Sequence, residues 1–146
     1  MKIKISKNHK TRLSVLMQVL ENTVYEMEEL VRDSNRRRTM TETVNNLTQR
    51  ERDMILNCIV EIKESINYIA EHLNLTRKKV EAKNLILGAM TVERVNLDEM
   101  MSKELRGYGE VPVDLRDFLD PQVEKMIALV DEICIAVEAI SEKEQI

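Results

Sequence analysis

Tryptophan is absent from this 146-residue chain, phenylalanine occurs once, tyrosine and glycine three times each, and proline twice. Each shortage excludes something. Without large aromatics the core has to be aliphatic. With so little glycine and proline there are too few turn residues for a meander of short strands, so the chain reads as helix. Only Cys58 and Cys134 carry thiols, with no CxxC spacing and no histidine at ligand distance in sequence. A disulfide scaffold and a zinc ribbon are thereby excluded. Each cysteine lies beside isoleucine, which predicts a buried thiol in a cytoplasmic protein. No apolar run reaches the length needed to span a bilayer. The run from Leu13 to Leu20 is interrupted by Gln18 and followed by Glu21 without a small-residue cleavage site, so no secretory signal is expected.

What is present is 43% apolar residues, 33% charged residues and nine methionines. At this length a single domain buries about 68–70% of the surface its unfolded chain exposes. The net charge of −4 conceals a gradient of +4 over residues 1–50, zero over 51–97 and −8 over 98–146. Such ends either pair within one assembly or offer surfaces to different partners. Residues 1–12 hold five Lys/Arg and no acid, and are expected to form a flexible basic arm ahead of one helical domain over 13–143.

Apolar spacing predicts four long helices. Leu13, Met17, Leu20, Val24, Met27 and Val31 follow a 4-3-4-3-4 rhythm, the seam of a helix packed on other helices. A polar connection comes next, Asp33 to Arg38. Thr39 with Glu42 and Thr48 with Glu51 both have capping-box spacing, so the second helix begins at one of them. Its seam runs Ile55, Ile59, Ile62, Ile66, Ile69, Leu73. After a three-residue turn, Asn74 to Thr76, a third helix is expected from Thr76. It either runs to Leu105 or breaks near Asn96. Asp120-Pro121 reads as N-cap and first residue of the fourth helix, whose seam is Val123, Met126, Val130, Ile133, Val137 and Ile140. The expected fold is all-α, a four-helix bundle around a central hairpin of the second and third helices.

Three functions are weighed. The first is a helical interaction module, a homodimer without catalytic activity. Leu85, Gly88, Ala89 and Met90 would make its contact, because this segment is apolar nearly all round and Gly88-Ala89 admits a second backbone closely. The second is DNA binding through residues 66–85. Ala70 supplies the small residue between two helices, Ile69, Leu73, Leu75 and Val80 the apolar flanks, and Arg77, Lys78, Lys79 and Lys83 the cations for phosphates. Leu47-Thr48-Gln49-Arg50-Glu51-Arg52 resembles the opening of the DNA-binding domain of LuxR-type regulators, and Ile69 to Thr76 is similar to its turn, over about forty residues in all. Against that, no glycine or proline breaks the seam from Ile55 to Leu73, Asn74 replaces the turn glycine, and Lys83 takes a place expected to be apolar.

The third is a Mg-dependent all-α nucleotide hydrolase, drawing on Glu26, Glu29, Asp114, Asp117 and Asp120. Ordinary helix-end chemistry accounts for the same acids. His72 has no glutamate three residues earlier, so the Glu-x-x-His pattern of di-iron bundles is missing. Neither a catalytic constellation, a cofactor or metal site, a small-molecule ligand nor a membrane contact is expected. Two basic triplets, Arg36-Arg37-Arg38 and Arg77-Lys78-Lys79, remain as candidate contacts to an anion or nucleic acid. The second would place positive charge at a helix start, where the dipole favours negative charge.

Overall fold

The computed structural model describes residues 3–33 and 35–144, with side chains described through 138. The element order is α1 (Lys7–Arg32), β1 (Arg36–Arg37), β2 (Glu42–Thr43), α2 (Gln49–His72), α3 (Ala82–Glu99), α4 (Ser102–Leu105), a 3-10 turn at Arg106–Tyr108, and α5 (Val113–Glu144). The chain is mostly helical, as its composition predicts. It divides into two compact units, 1–77 and 78–146, where the length suggested one domain over 13–143.

In the first unit, α1 packs on α2. The Ile3 amide donates to the His72 carbonyl at 2.8 Å, and at the other end the Asn45 side-chain amide donates to the carbonyls of Leu30 and Asp33. Those two ties make the helices antiparallel. The first also corrects the expected free arm: Ile3 is anchored, and α1 already begins at Lys7, where the Ser6 hydroxyl accepts from the His9 amide at 3.1 Å. Of the two capping boxes, the one at Thr48 and Glu51 forms, with both reciprocal hydrogen bonds. Glu42 instead lies on β2, where Arg36 pairs with Thr43 and Arg37 with Glu42 in a two-stranded antiparallel ribbon. The thiol expected to be buried at Cys58 is exposed, and Cys134 is half-buried.

The unit's core is small. Val24, Val31 and Ile59 are its buried apolar side chains among the described residues. Lys63, on the inward side of α2, crosses to α1 and ion-pairs with Glu28 at 2.9 Å while its ammonium lies 4.0 Å from the centre of the Tyr25 ring. The Lys63 hydrogen bond holds the Glu28 carboxyl below its ordinary pKa. A cation at a seam position, paired across the interface, specifies register at some cost in stability.

Helix α2 is unbroken from Gln49 to His72, but the segment after it departs from expectation. Asn74 takes a left-handed conformation (φ 53°), its amide donates to Glu71 and the Leu75 amide to Ala70. This is a Schellman-type stop with asparagine in the place usually held by glycine. Residues 75–81 are then non-helical, and α3 starts at Ala82 instead of Thr76. The helix dipole supplies the reason: starting at Thr76 would put three cations on its positive end. The packed helix pairs within the units are α1 with α2 and α3 with α5.

In the second unit, Arg94 on α3 pairs with Asp98 at 2.6 Å and reaches Asp131 of α5 at 3.4 Å, and Ser102 meets Asp120, so these helices too run antiparallel. Leu97 and Val123 are the buried apolar residues of this unit among the described side chains. Helix α3 stops at Glu99, short of Leu105 and later than Asn96; the amides of Met100 and Met101 close on Leu97 and Asp98 before α4 begins.

Pro121 does not begin a helix. It lies inside α5, which runs continuously from Val113. The preceding residue, Asp120, is disfavoured in helical conformation, which is why the sequence suggests a boundary there. Its carboxylate instead leaves its own helix and accepts from the Ser102 amide (2.8 Å) and hydroxyl (2.6 Å) at the start of α4. The acid expected to cap α5 thus caps α4. The inward stripe of α5 is Val123, Ile127, Val130, Cys134 and Val137; Met126 and Ile133, assigned to the seam by spacing, face outward, and the Ile140 side chain lies outside the described residues.

Candidate functional site

The apolar faces that the helices leave uncovered are the most developed feature outside the core. On the first unit, Met17 and Leu20 of α1 with Cys58, Ile62, Ile66 and Ile69 of α2 line an open groove of about 490 Å³. Glu61 and Ser65 are its only polar lining residues. The groove exists because α1 and α2 each carry apolar residues over an arc wider than one neighbour covers. Met17 and Ile66 turn toward the hairpin partner, while Leu20, Ile62 and Ile69 stand on the outer rim of that contact, all more than a third exposed.

A second stripe runs along α3. Leu85, Val92 and Val95 are exposed, as are Gly88 and Ala89. Nothing lies within 4 Å of where a Gly88 Cβ would stand. Of the four residues predicted as a partner contact, Leu85, Gly88 and Ala89 therefore share an outward face. Met90 does not join them, because it is half-buried on the inward stripe with Leu87, Arg94 and Leu97.

The basic triplets have separate surroundings. Arg36 is half-buried, with its Nε 3.5 Å from an Asp33 carboxylate oxygen, and Arg37 is exposed on the same strand. The Arg38 amide donates to the Thr41 carbonyl, closing the ribbon's turn. Arg77, Lys78 and Lys79 are exposed on non-helical backbone, with Arg77 ending the first unit and Lys78 opening the second. They are not the first turn of a recognition helix. Residues 66–85 do not form two helices joined by a tight turn, and the helix-turn-helix expectation loses its geometry there.

For the hydrolase expectation, no group of three His, Cys, Asp or Glu side chains that could hold a metal ion occurs among the described residues. Asp120 is committed to Ser102. These two hydrogen bonds, from the hydroxyl first and the amide second, hold its carboxyl below the ordinary aspartate pKa. A lowered folded-state pKa adds stability that is complete above the unfolded value, about 3.9. That stability is lost as pH falls through the folded pKa. Asp120→Asn should therefore flatten the acid limb of a stability-versus-pH curve below about pH 4 and leave the pH 5–7 region parallel to wild type. An unchanged acid limb in thermal melts would count against the clasp.

Sequence reasoning missed the outward half of each seam. The signal was present: α1 carries Leu16 and Leu30 in addition to the six residues of its seam, more apolar positions than one helical neighbour requires. No helix among the described residues is long and apolar enough to cross a membrane. No protein-family model, curated protein or solved structure matches the chain. The LuxR-type resemblance gains no support from them.

Proposed function

We propose that the protein is a helical interaction module that acts by association, forming a homodimer in which the open faces of its two-helix units complete four-helix bundles. The observation that supports this most is the quantity of apolar surface left outward. Leu16, Val19 and Leu20 on α1 and Leu85, Val92 and Val95 on α3 are each more than a third exposed. Uncovered apolar faces of this extent are typical of surfaces that bind protein. Coverage by a second copy needs no other gene product, and closed two-fold pairing is the commonest form of assembly.

Sedimentation of the purified protein over a range of concentrations tests the reading. A dimer is expected in the micromolar range, and a monomer at the highest concentration would overturn it. Gly88→Leu then reports on the α3 stripe. Because the space around Gly88 is open, a leucine there meets nothing in its own chain. If α3 is a contact, this variant weakens the dimer. A dimer untouched by it shifts the contact to the other apolar faces and leaves association in place.

A further inference from the structure

The outward side of α1 has a pattern that specifies its partner. Leu16, Leu20, Met27 and Leu30 are exposed and fall on one seam, completed at the skipped heptad place by Thr23. This seam lies on the Leu20 side of the helix, where the groove with α2 opens. Along its edge, at intervals of seven residues, stand Arg12, Val19 and Glu26. All three are exposed. Neither Arg12 nor Glu26 has an ion-pair partner among the described residues.

Residues seven apart occupy the same heptad position, and in an antiparallel helix pair the same flanking position of each helix meets its counterpart. Pairing α1 with a second α1 about a two-fold axis at Val19 sets Arg12 of each copy opposite Glu26 of the other. It also sets Leu16 of each copy beside Leu20 of the other. In a parallel pair these like flanking positions lie on opposite sides of the seam, so Arg12 of one copy does not meet Glu26 of the other. The wider charge distribution agrees. Between Lys7 and Leu20 the helix holds Lys7, Lys10 and Arg12 and no acid, whereas Glu21, Glu26, Glu28 and Glu29 come after with only Arg32 against them.

We infer that the α1–α2 groove is the seat of a second copy of this chain, with the two α1 helices antiparallel about Val19 and Arg12 of each copy paired with Glu26 of the other. The inference rests on the self-association reading and specifies its interface. From Leu16 to Leu30 the seam is about 21 Å long.

Charge exchange tests the seat. Arg12→Glu and Glu26→Arg are each expected to weaken the dimer roughly tenfold, because each creates two symmetric like-charge contacts. Mixing the two variants should restore wild-type affinity, since both contacts of the mixed dimer are again of opposite sign. The doubly substituted chain should restore it too. Circular dichroism checks that each variant keeps its helix content, which both exposed positions should permit. A wild-type dimer insensitive to the single changes, or weakened by them without rescue, overturns this seat while association stands. A monomeric wild type overturns both.

Discussion

Ile59→Ala is expected to lower the stability of the α1–α2 unit by about 2–5 kcal/mol, the range for truncating a buried isoleucine that leaves a partly collapsed cavity. Ile59 is 1% exposed. With Val24 and Val31 it makes up the buried apolar core described for that unit, so few other contacts can compensate. Marginal domains have about 5–15 kcal/mol in all, and this substitution alone can melt residues 7–72. Ile62→Ala provides the contrast. Ile62 lies one turn along on the groove wall and is 36% exposed. Its truncation removes less buried surface, so it should cost well under the Ile59 value in denaturant melts of the monomer while weakening self-association. Equal losses at both positions would mean that the groove is already filled in the free chain.

Val123→Asp should have the largest effect on the second unit. Val123 is 0% exposed on the inward stripe of α5. A carboxylate there loses its hydration without a compensating partner, a cost of several kcal/mol. Hydrogen exchange is the appropriate measurement. Amide protection in α3 and α5 should collapse, while protection in α1 and α2 persists. Simultaneous loss in all four long helices would show that the two units unfold as one and would contradict their separation at Arg77 and Lys78.

How far the sequence specified this arrangement can be traced residue by residue. Leu13, Met17, Val24 and Val31 on α1, and Ile55, Ile59, Ile66 and Leu73 on α2, face inward as their spacing predicts. The intervening members, Leu20, Met27, Ile62 and Ile69, lie on the exposed rim. A heptad gives the direction of a helix's apolar face but not the number of neighbours covering it, so three seams and an apolar third helix read equally well as one bundle or as two hairpins. The stop at Asn74 was legible because its side chain tolerates left-handed backbone. The late start of α3 was legible only in retrospect, through the unfavourable charge of Arg77 to Lys79. Asp120 misled because a carboxylate before proline has two ways to satisfy amides, at its own helix or at a neighbouring one. Only the packing of α4 beside α5 decides between them. Of the candidate contact, Leu85, Gly88 and Ala89 lie on an exposed face of α3, whereas Met90 lies three residues past Leu87 on the inward stripe; an apolar run that goes nearly all round a helix does not say which side its own chain covers.

The division at Arg77 also has a temporal consequence during synthesis. Both helices of the first unit, and the ribbon that joins them, are complete before residue 78 is added. At about 5–20 residues per second, residues 78–146 take roughly 3–14 s to translate. Helices and hairpins form in microseconds. The α1–α2 groove can therefore form while the second unit is still being made, and neighbouring ribosomes on one message hold identical grooves at high local concentration. Assembly between two nascent chains would begin with this unit.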